Sequence, residues 1–99
     1  MTITKNLEGE KLTVALKGRL DTVTSPSLES ELKTAPEVAK ELIIDCSNLE
    51  YVSSAGLRVL LAAFKKMDGK GGSMKIVNIS ELVHEVLEVT GFMDIITVE

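Results

Sequence analysis

Leu12-Thr13-Val14-Ala15-Leu16 alternates apolar with small or polar residues, the period of a strand buried on one face. Ile3 to Leu7 is expected to pair with it through a turn at Glu8-Gly9-Glu10, and Gly18 to let the chain bend after it. A helix opens near Ser25-Pro26: Ser suits the cap, Pro suits the first helical position, and Glu29 and Glu31 fall in the early turns. Leu28 and Leu32, four apart, mark its buried side, and Pro36 opposes its continuation. Leu42-Ile43-Ile44 is apolar at consecutive positions, which predicts a central strand of the parallel kind with both faces covered. This strand is expected to give way at Asp45 to a polar loop. Leu57, Leu60, Leu61 and Phe64 then carry a helix from about Ser54 to Met67, closed by Asp68-Gly69-Lys70-Gly71-Gly72. Met74-Lys75-Ile76-Val77 reads as a further strand. Ser80 can cap a third helix with apolar positions Leu82, Val83, Val86 and Leu87, and Gly91 stands where a left-handed residue ends it. Ile95-Ile96-Thr97-Val98 reads as the last strand. The order β-β-α-β-α-β-α-β predicts an α/β fold, with a mixed sheet of about five strands covered by three to four helices and right-handed crossovers.

Length and composition narrow the function. The 99 residues make one domain, residues 1–99, long enough to bury a core without staples. Tyr51, Phe64 and Phe92 are its only aromatics, so that core is aliphatic and offers no platform for stacking bases. With a net charge of −4, direct nucleic-acid binding is not expected. A lone cysteine, Cys46, excludes an internal disulfide and a cysteine zinc cluster, and a lone histidine, His84, leaves other metal sites short of ligands. No cofactor is expected. No apolar run approaches a membrane span, and Met1-Thr2-Ile3-Thr4-Lys5 lacks a signal-peptide core, so a cytoplasmic location is expected.

Candidate chemistry gathers where the central strand leads into the central helix. Ser53 and Ser54 arrive there at N–H groups that have no partner within the helix. A hydroxyl at such a place can cap the helix, which is worth about 1 kcal/mol. It can also carry a phosphate, which the dipole and free N–H groups favour. Ser54 is open to both readings. Gly56 either leaves the backbone clear for a partner or is merely tolerated in the first turn; Ala55 is small, in keeping with a close-fitting surface. Asp21 lies just beyond a strand end, followed by Thr22, Thr24 and Ser25, and reads either as a site residue or as a loop carboxylate bonding its own backbone. Asp21 and Asp45 do not make a convincing receiver-type acidic pair, and Asp45 reads as structural. Arg58, Lys65, Lys66 and Lys70 line the exposed side of the central helix. Arg58 sits in the first turn, where a cation is disfavoured, and could pair with a partner carboxylate or a phosphate on Ser54. His84 reads as surface. A hydrolase with Ser54 as nucleophile would need a base in reach, but the histidine lies on another helix and Gly-x-Ser-x-Gly is absent.

Three segments carry a family likeness: Gly18-Arg19-Leu20-Asp21, Tyr51-Val52-Ser53-Ser54-Ala55-Gly56-Leu57 and Thr90-Gly91-Phe92-Met93-Asp94-Ile95-Ile96. In order and spacing they cover nearly the whole chain, which resembles the anti-sigma factor antagonists, the small single-domain members of the STAS family. The resemblance implies a single STAS-type domain with Ser54 at the phosphorylated position. Ser53 stands where several members have Asp. The matching aspartate, Asp21, is implied to lie beside the serine loop and contact the kinase partner, with Ser53, Ala55, Gly56 and Arg58 completing the partner surface. The implied role is a binding module and not an enzyme. It would hold an anti-sigma factor that is also a serine kinase and so free a sigma factor for transcription. Phosphorylation of Ser54 would end the binding and a serine phosphatase would restore it. The alternative within the fold is a scaffold subunit of a stressosome-like or lipid-transport complex.

Overall fold

In the computed structural model, which describes all 99 residues, the elements are β1 (Thr2–Glu8), β2 (Lys11–Leu20), α1 (Ser25–Leu32), α2 (Ala35–Val38), β3 (Glu41–Val52), α3 (Ser54–Gly69), β4 (Ser73–Val77), α4 (Glu81–Val89), a 3-10 turn (Phe92–Asp94) and β5 (Thr97–Val98). The five strands lie in one sheet in the order of the chain. β1 and β2 form an antiparallel hairpin, and every later pairing is parallel. The mixed sheet and the sequence of elements match the expectation. The four-residue α2 is added where Pro36 separates a new turn from α1.

One face of the sheet is covered. Leu12, Val14 and Leu16 of β2, Leu42, Ile44 and Cys46 of β3, and Met74 and Ile76 of β4 are buried, alternating as a pleated strand requires. They join Leu28 and Leu32 of α1, Leu57 and Leu60 of α3, and Val83 and Leu87 of α4 in a single aliphatic core. Thr13, Ala15, Asp45, Lys75 and Val77, of the opposite parity, stay half-exposed. The expectation that both faces are covered is therefore corrected. Ile43 is buried, yet stands outside the core cluster. Its shelter is its own row of the ladder, Thr13 on one side and Lys75 on the other. Lys75 is held over that row by Glu99 at 3.3 Å and Glu41 at 3.9 Å.

β2 and β3 are both longer than their patterns predict. β2 does not end at Gly18 but passes through it to Leu20, with Gly18 at φ +104°, a conformation that side chains with a Cβ rarely adopt. β3 continues to Val52 through two irregularities. Ala15 pairs with Asp45 but Lys17 with Asn48; Gly18 pairs with Leu49 but Arg19 with Tyr51. At each step β3 uses one residue more than β2, the mark of a β-bulge. Beyond Ile44 the buried residues are Cys46, Leu49 and Val52, every third position instead of every second. That spacing hides a strand inside what reads as a polar loop.

Smaller differences have local causes. Ser25 is the first helical residue of α1, not its cap, and its hydroxyl donates to the Asp21 carbonyl. This bond satisfies the one buried polar side chain in the protein. Ser80 caps α4 as expected, accepting from the Val83 N–H at 3.2 Å, but Leu82 is half-exposed. Gly91 takes the expected left-handed conformation, at φ +75°. The last strand is only Thr97–Val98, because the 3-10 turn and its continuation use the residues before it.

The one-sided sheet makes a testable difference between neighbours. Ile44→Ala should cost about 2–5 kcal/mol in urea unfolding, the range for emptying a packed site. Ile43→Ala should cost clearly less, since its cavity opens to solvent. Equal losses would contradict an open second face.

Candidate functional site

The site lies where β2 and β3 end together. Leu20 pairs with Val52, and the Ser53 N–H donates to the Leu20 carbonyl at 2.9 Å, so the ladder continues one bond past the strands. The next residues, Asp21 on one chain segment and Ser53–Ser54 on the other, are thereby brought side by side.

Ser53 is extended, at φ −97° and ψ 175°, and caps α3: its hydroxyl oxygen accepts from the Gly56 N–H at 3.4 Å. Its carbonyl accepts the first helical bond, from the Leu57 N–H at 2.9 Å. The cap reading weighed for Ser54 is therefore corrected. Ser54 is the first helical residue and is exposed, with its hydroxyl free of capping duty. Gly56 is buried and not at the surface. A Cβ there would meet Leu20 Cγ at 2.6 Å and the Leu20 carbonyl oxygen at 3.1 Å. The glycine lets the first turn of α3 lie directly on the end of β2. Ala55, half-buried, and Arg58, exposed, line a groove between α1 and α3 with Thr22, Ser25, Pro26 and Glu29. Arg58 is four residues after Ser54, on the same side of the helix.

Asp21 builds the turn that carries β2 into α1. Its Oδ1 accepts from the N–H groups of Val23 at 3.0 Å and Thr24 at 3.1 Å, and from the Thr24 hydroxyl at 3.2 Å. The Asp21 N–H in turn donates to Thr24 Oγ1 at 2.9 Å. The Thr24 N–H, chiefly, holds the Asp21 carboxyl below the usual carboxylate range; the Thr24 hydroxyl, the Val23 N–H and the charge of Arg19 act in the same direction, against partial loss of hydration. Two neighbours went unnoticed in the sequence. Arg19 Nε lies 3.9 Å from Asp21 Oδ2, and its guanidinium sits 4.3 Å above the ring of Tyr51. Both belong to quoted motifs, but only the bulged register makes them partners.

The remaining candidates fall elsewhere. Asp45 ties β3 to the residue after β4: its Oδ1 accepts from the Ser47 hydroxyl, from the Ser47 N–H at 3.0 Å and from Asn78 Nδ2 at 3.2 Å. These bonds, the Ser47 hydroxyl first, lower its carboxyl. Cys46 is buried, and burial with the Asp45 charge beside it pushes its thiol up to about 12. His84 is exposed on α4, 3.7 Å from Glu88. No group of three His, Cys, Asp or Glu side chains is placed to hold a metal ion, and no helix is long and apolar enough to cross a membrane.

The model of the STAS domain family matches residues 2–99. The chain belongs to the STAS domain family. Among curated relatives, the anti-sigma-B factor antagonist of Bacillus subtilis is 33% identical over 85 residues, covering 86% of this chain and 78% of the relative. The anti-sigma F factor antagonist of Paenibacillus polymyxa is 29% identical over 89 residues, covering 88% and 76%. Among solved structures, an anti-sigma factor antagonist from Mycobacterium paratuberculosis superposes with a TM-score of 0.88 at 24% identity, covering 98% of this chain and 83% of that one. The Bacillus cell-fate determinant SpoIIAA in its phosphorylated form gives 0.79 at 17% identity, covering 99% and 91%. At these identities the structural likeness speaks for the fold, and it agrees with the STAS sheet and helices described above.

Two predictions follow from this geometry. Ser53→Ala should cost roughly 0.5–2 kcal/mol in urea unfolding, the value of a cap, while Ser54→Ala should stay within about 0.5 kcal/mol of wild type. The reverse order would place the cap on Ser54. The second concerns acid. A carboxyl lowered in the folded state contributes stability that is fully present above its unfolded value and is lost as pH falls through its folded value. Asp21→Ala with Asp45→Ala should therefore be less stable than wild type at neutral pH. The two stability curves should converge as pH falls through the lowered folded-state values of these two carboxyls. A gap that persists at low pH would show that the carboxylate charge is not what the turns use.

Proposed function

We propose that this STAS domain is an anti-sigma factor antagonist whose binding is switched by phosphorylation of Ser54. The observation that carries the reading is the division of labour between the two serines. Ser53 does the capping, and Ser54 is left with an exposed hydroxyl at a capped helix start. The family and the names of its curated relatives support the general role.

In this reading an anti-sigma factor that is also a serine kinase binds the surface formed by Ser53, Ser54 and Ala55, flanked by Asp21 and Arg58, with Gly56 beneath. The bound anti-sigma factor releases its sigma factor. The kinase then transfers the γ-phosphoryl group of ATP to Ser54 Oγ; ADP leaves, and the hydroxyl proton passes to a base on the kinase. The product carries about −1.5 to −2 charge at neutral pH. A helix start and Arg58 one turn on accommodate that charge within the domain. A partner surface fitted to small side chains does not, so the complex separates. A serine phosphatase restores the hydroxyl. The setting is cytoplasmic, and the domain itself is substrate and ligand, not catalyst.

Ser54→Ala should give an antagonist that binds and cannot be switched off, and Ser54→Asp one that binds poorly, both melting close to wild type. An unpaired charge at a contact can cost several kcal/mol. Calorimetry against the anti-sigma kinase, with the phosphorylated chain included and mass spectrometry locating the phosphate, checks this. Equal affinity of phosphorylated and unphosphorylated chain would rule out the switch and favour a STAS scaffold. Phosphate on Ser53 alone would move the site.

A further inference from the structure

The reading of this surface as a partner-binding site leaves open which group anchors the partner, and the cluster beside Ser53 answers that question. Asp21 Oδ1 is occupied internally, accepting from Val23 and Thr24, while Oδ2 makes no hydrogen bond and lies 3.9 Å from Arg19 Nε. What the cluster presents outward is the guanidinium of Arg19. Its side chain is 60% exposed, with its guanidinium 4.3 Å above the Tyr51 ring. The Asp21 contact, at 3.9 Å from Nε, is too long for a hydrogen bond, and the guanidinium makes no hydrogen bond to an acidic side chain.

We propose that Arg19 is the anchoring contact of this surface and takes a carboxylate of the anti-sigma partner on its two terminal nitrogens, with Asp21 and Tyr51 as positioning residues that hold its fork. The inference rests on the reading given under Proposed function. Three properties support it. A guanidinium matches a carboxylate in a two-pronged bond. Stacking on the Tyr51 ring, with the Asp21 carboxylate 3.9 Å from Nε, biases its orientation in advance, so less freedom is lost on binding. Arginine and tyrosine are also the side chains that most often dominate interfaces. Charge adds specificity, because the domain carries −4 overall and repels an acidic partner elsewhere. An acidic group is admitted only in the register that brings it to Arg19. A phosphate on Ser54 has a different cation one helical turn away, Arg58.

The test uses a purified anti-sigma serine kinase with the wild-type chain and with Arg19→Gln, Arg19→Lys, Arg19→Glu and Tyr51→Leu. Affinity is measured at two salt concentrations, and steady-state phosphorylation of Ser54 is followed alongside. Arg19→Gln should weaken binding about tenfold and Arg19→Glu more, with the Glu variant losing least at high salt. Arg19→Lys should recover part of the loss. Tyr51→Leu should fall between Lys and wild type. KM for the chain should rise while kcat stays within about twofold, a split that a folding defect would not produce. Wild-type affinity in both Arg19→Gln and Arg19→Glu overturns the proposal. So does unchanged kinase binding accompanied by a shifted phosphorus-NMR titration of the phosphorylated chain in Arg19→Gln, which would give the fork to the chain's own phosphate. If wild type is neither bound nor phosphorylated, the functional reading fails, and this inference fails with it.

Discussion

The parallel pairing of β2 with β3 runs to Leu20 beside Val52, and one further hydrogen bond, from the Ser53 N–H to the Leu20 carbonyl, locks the exit of β3 to the exit of β2. Every feature of the site descends from that lock. It makes Ser53 extended, and an extended residue before a helix is the one that can cap it. It sets Leu20 under the first turn of α3, where only a glycine fits, and Gly56 is there. It places Arg19 over Tyr51 and ties Ser53 to Leu20, the residue before Asp21. Ser54 is left with a hydroxyl that is exposed at the start of α3 and is not used as its cap.

Part of this was legible in the residues. The alternation of Leu12 to Leu16, the apolar run at Leu42, the 3.6-residue period from Leu57 and the Gly91 stop each gave an element of the right type in the right order, because local pattern and tertiary burial agree there. The end of β3 was not legible. Its bulges replace the two-residue period with a three-residue one, so Cys46, Leu49 and Val52 look like scattered apolar residues in a loop. Ile43 misled in the other direction. Consecutive apolar residues signal two covered faces, but a single row of neighbours can hide one isoleucine on an open face.

The site shows the same limit. Motifs found Ser54, Ser53, Asp21 and Gly56, because residue types at fixed spacing survive in a sequence. They could not divide the roles. Capping belongs to Ser53 and not Ser54, since only geometry tells the last extended residue from the first helical one. Gly56 serves packing, which depends on what lies beneath it. Asp21 commits its Oδ1 to its own turn, and Arg19 beside it is the more exposed charge. Such assignments need the register of two strands that are about thirty residues apart in the chain.

In the proposed switch, a phosphate on Ser54 is expected to change what a partner meets and to leave this hydrogen-bonded corner of the fold as it was. Native-state hydrogen exchange of the Ser53 and Leu57 amides, before and after phosphorylation of Ser54, tests that claim most directly. Both amides donate in the lock between β2, β3 and α3. They should exchange slowly, near the rate set by global unfolding, and equally slowly in the two forms. Fast, loop-like exchange at Ser53 in the unphosphorylated chain, or protection lost on phosphorylation, would contradict a rigid site switched by surface charge alone.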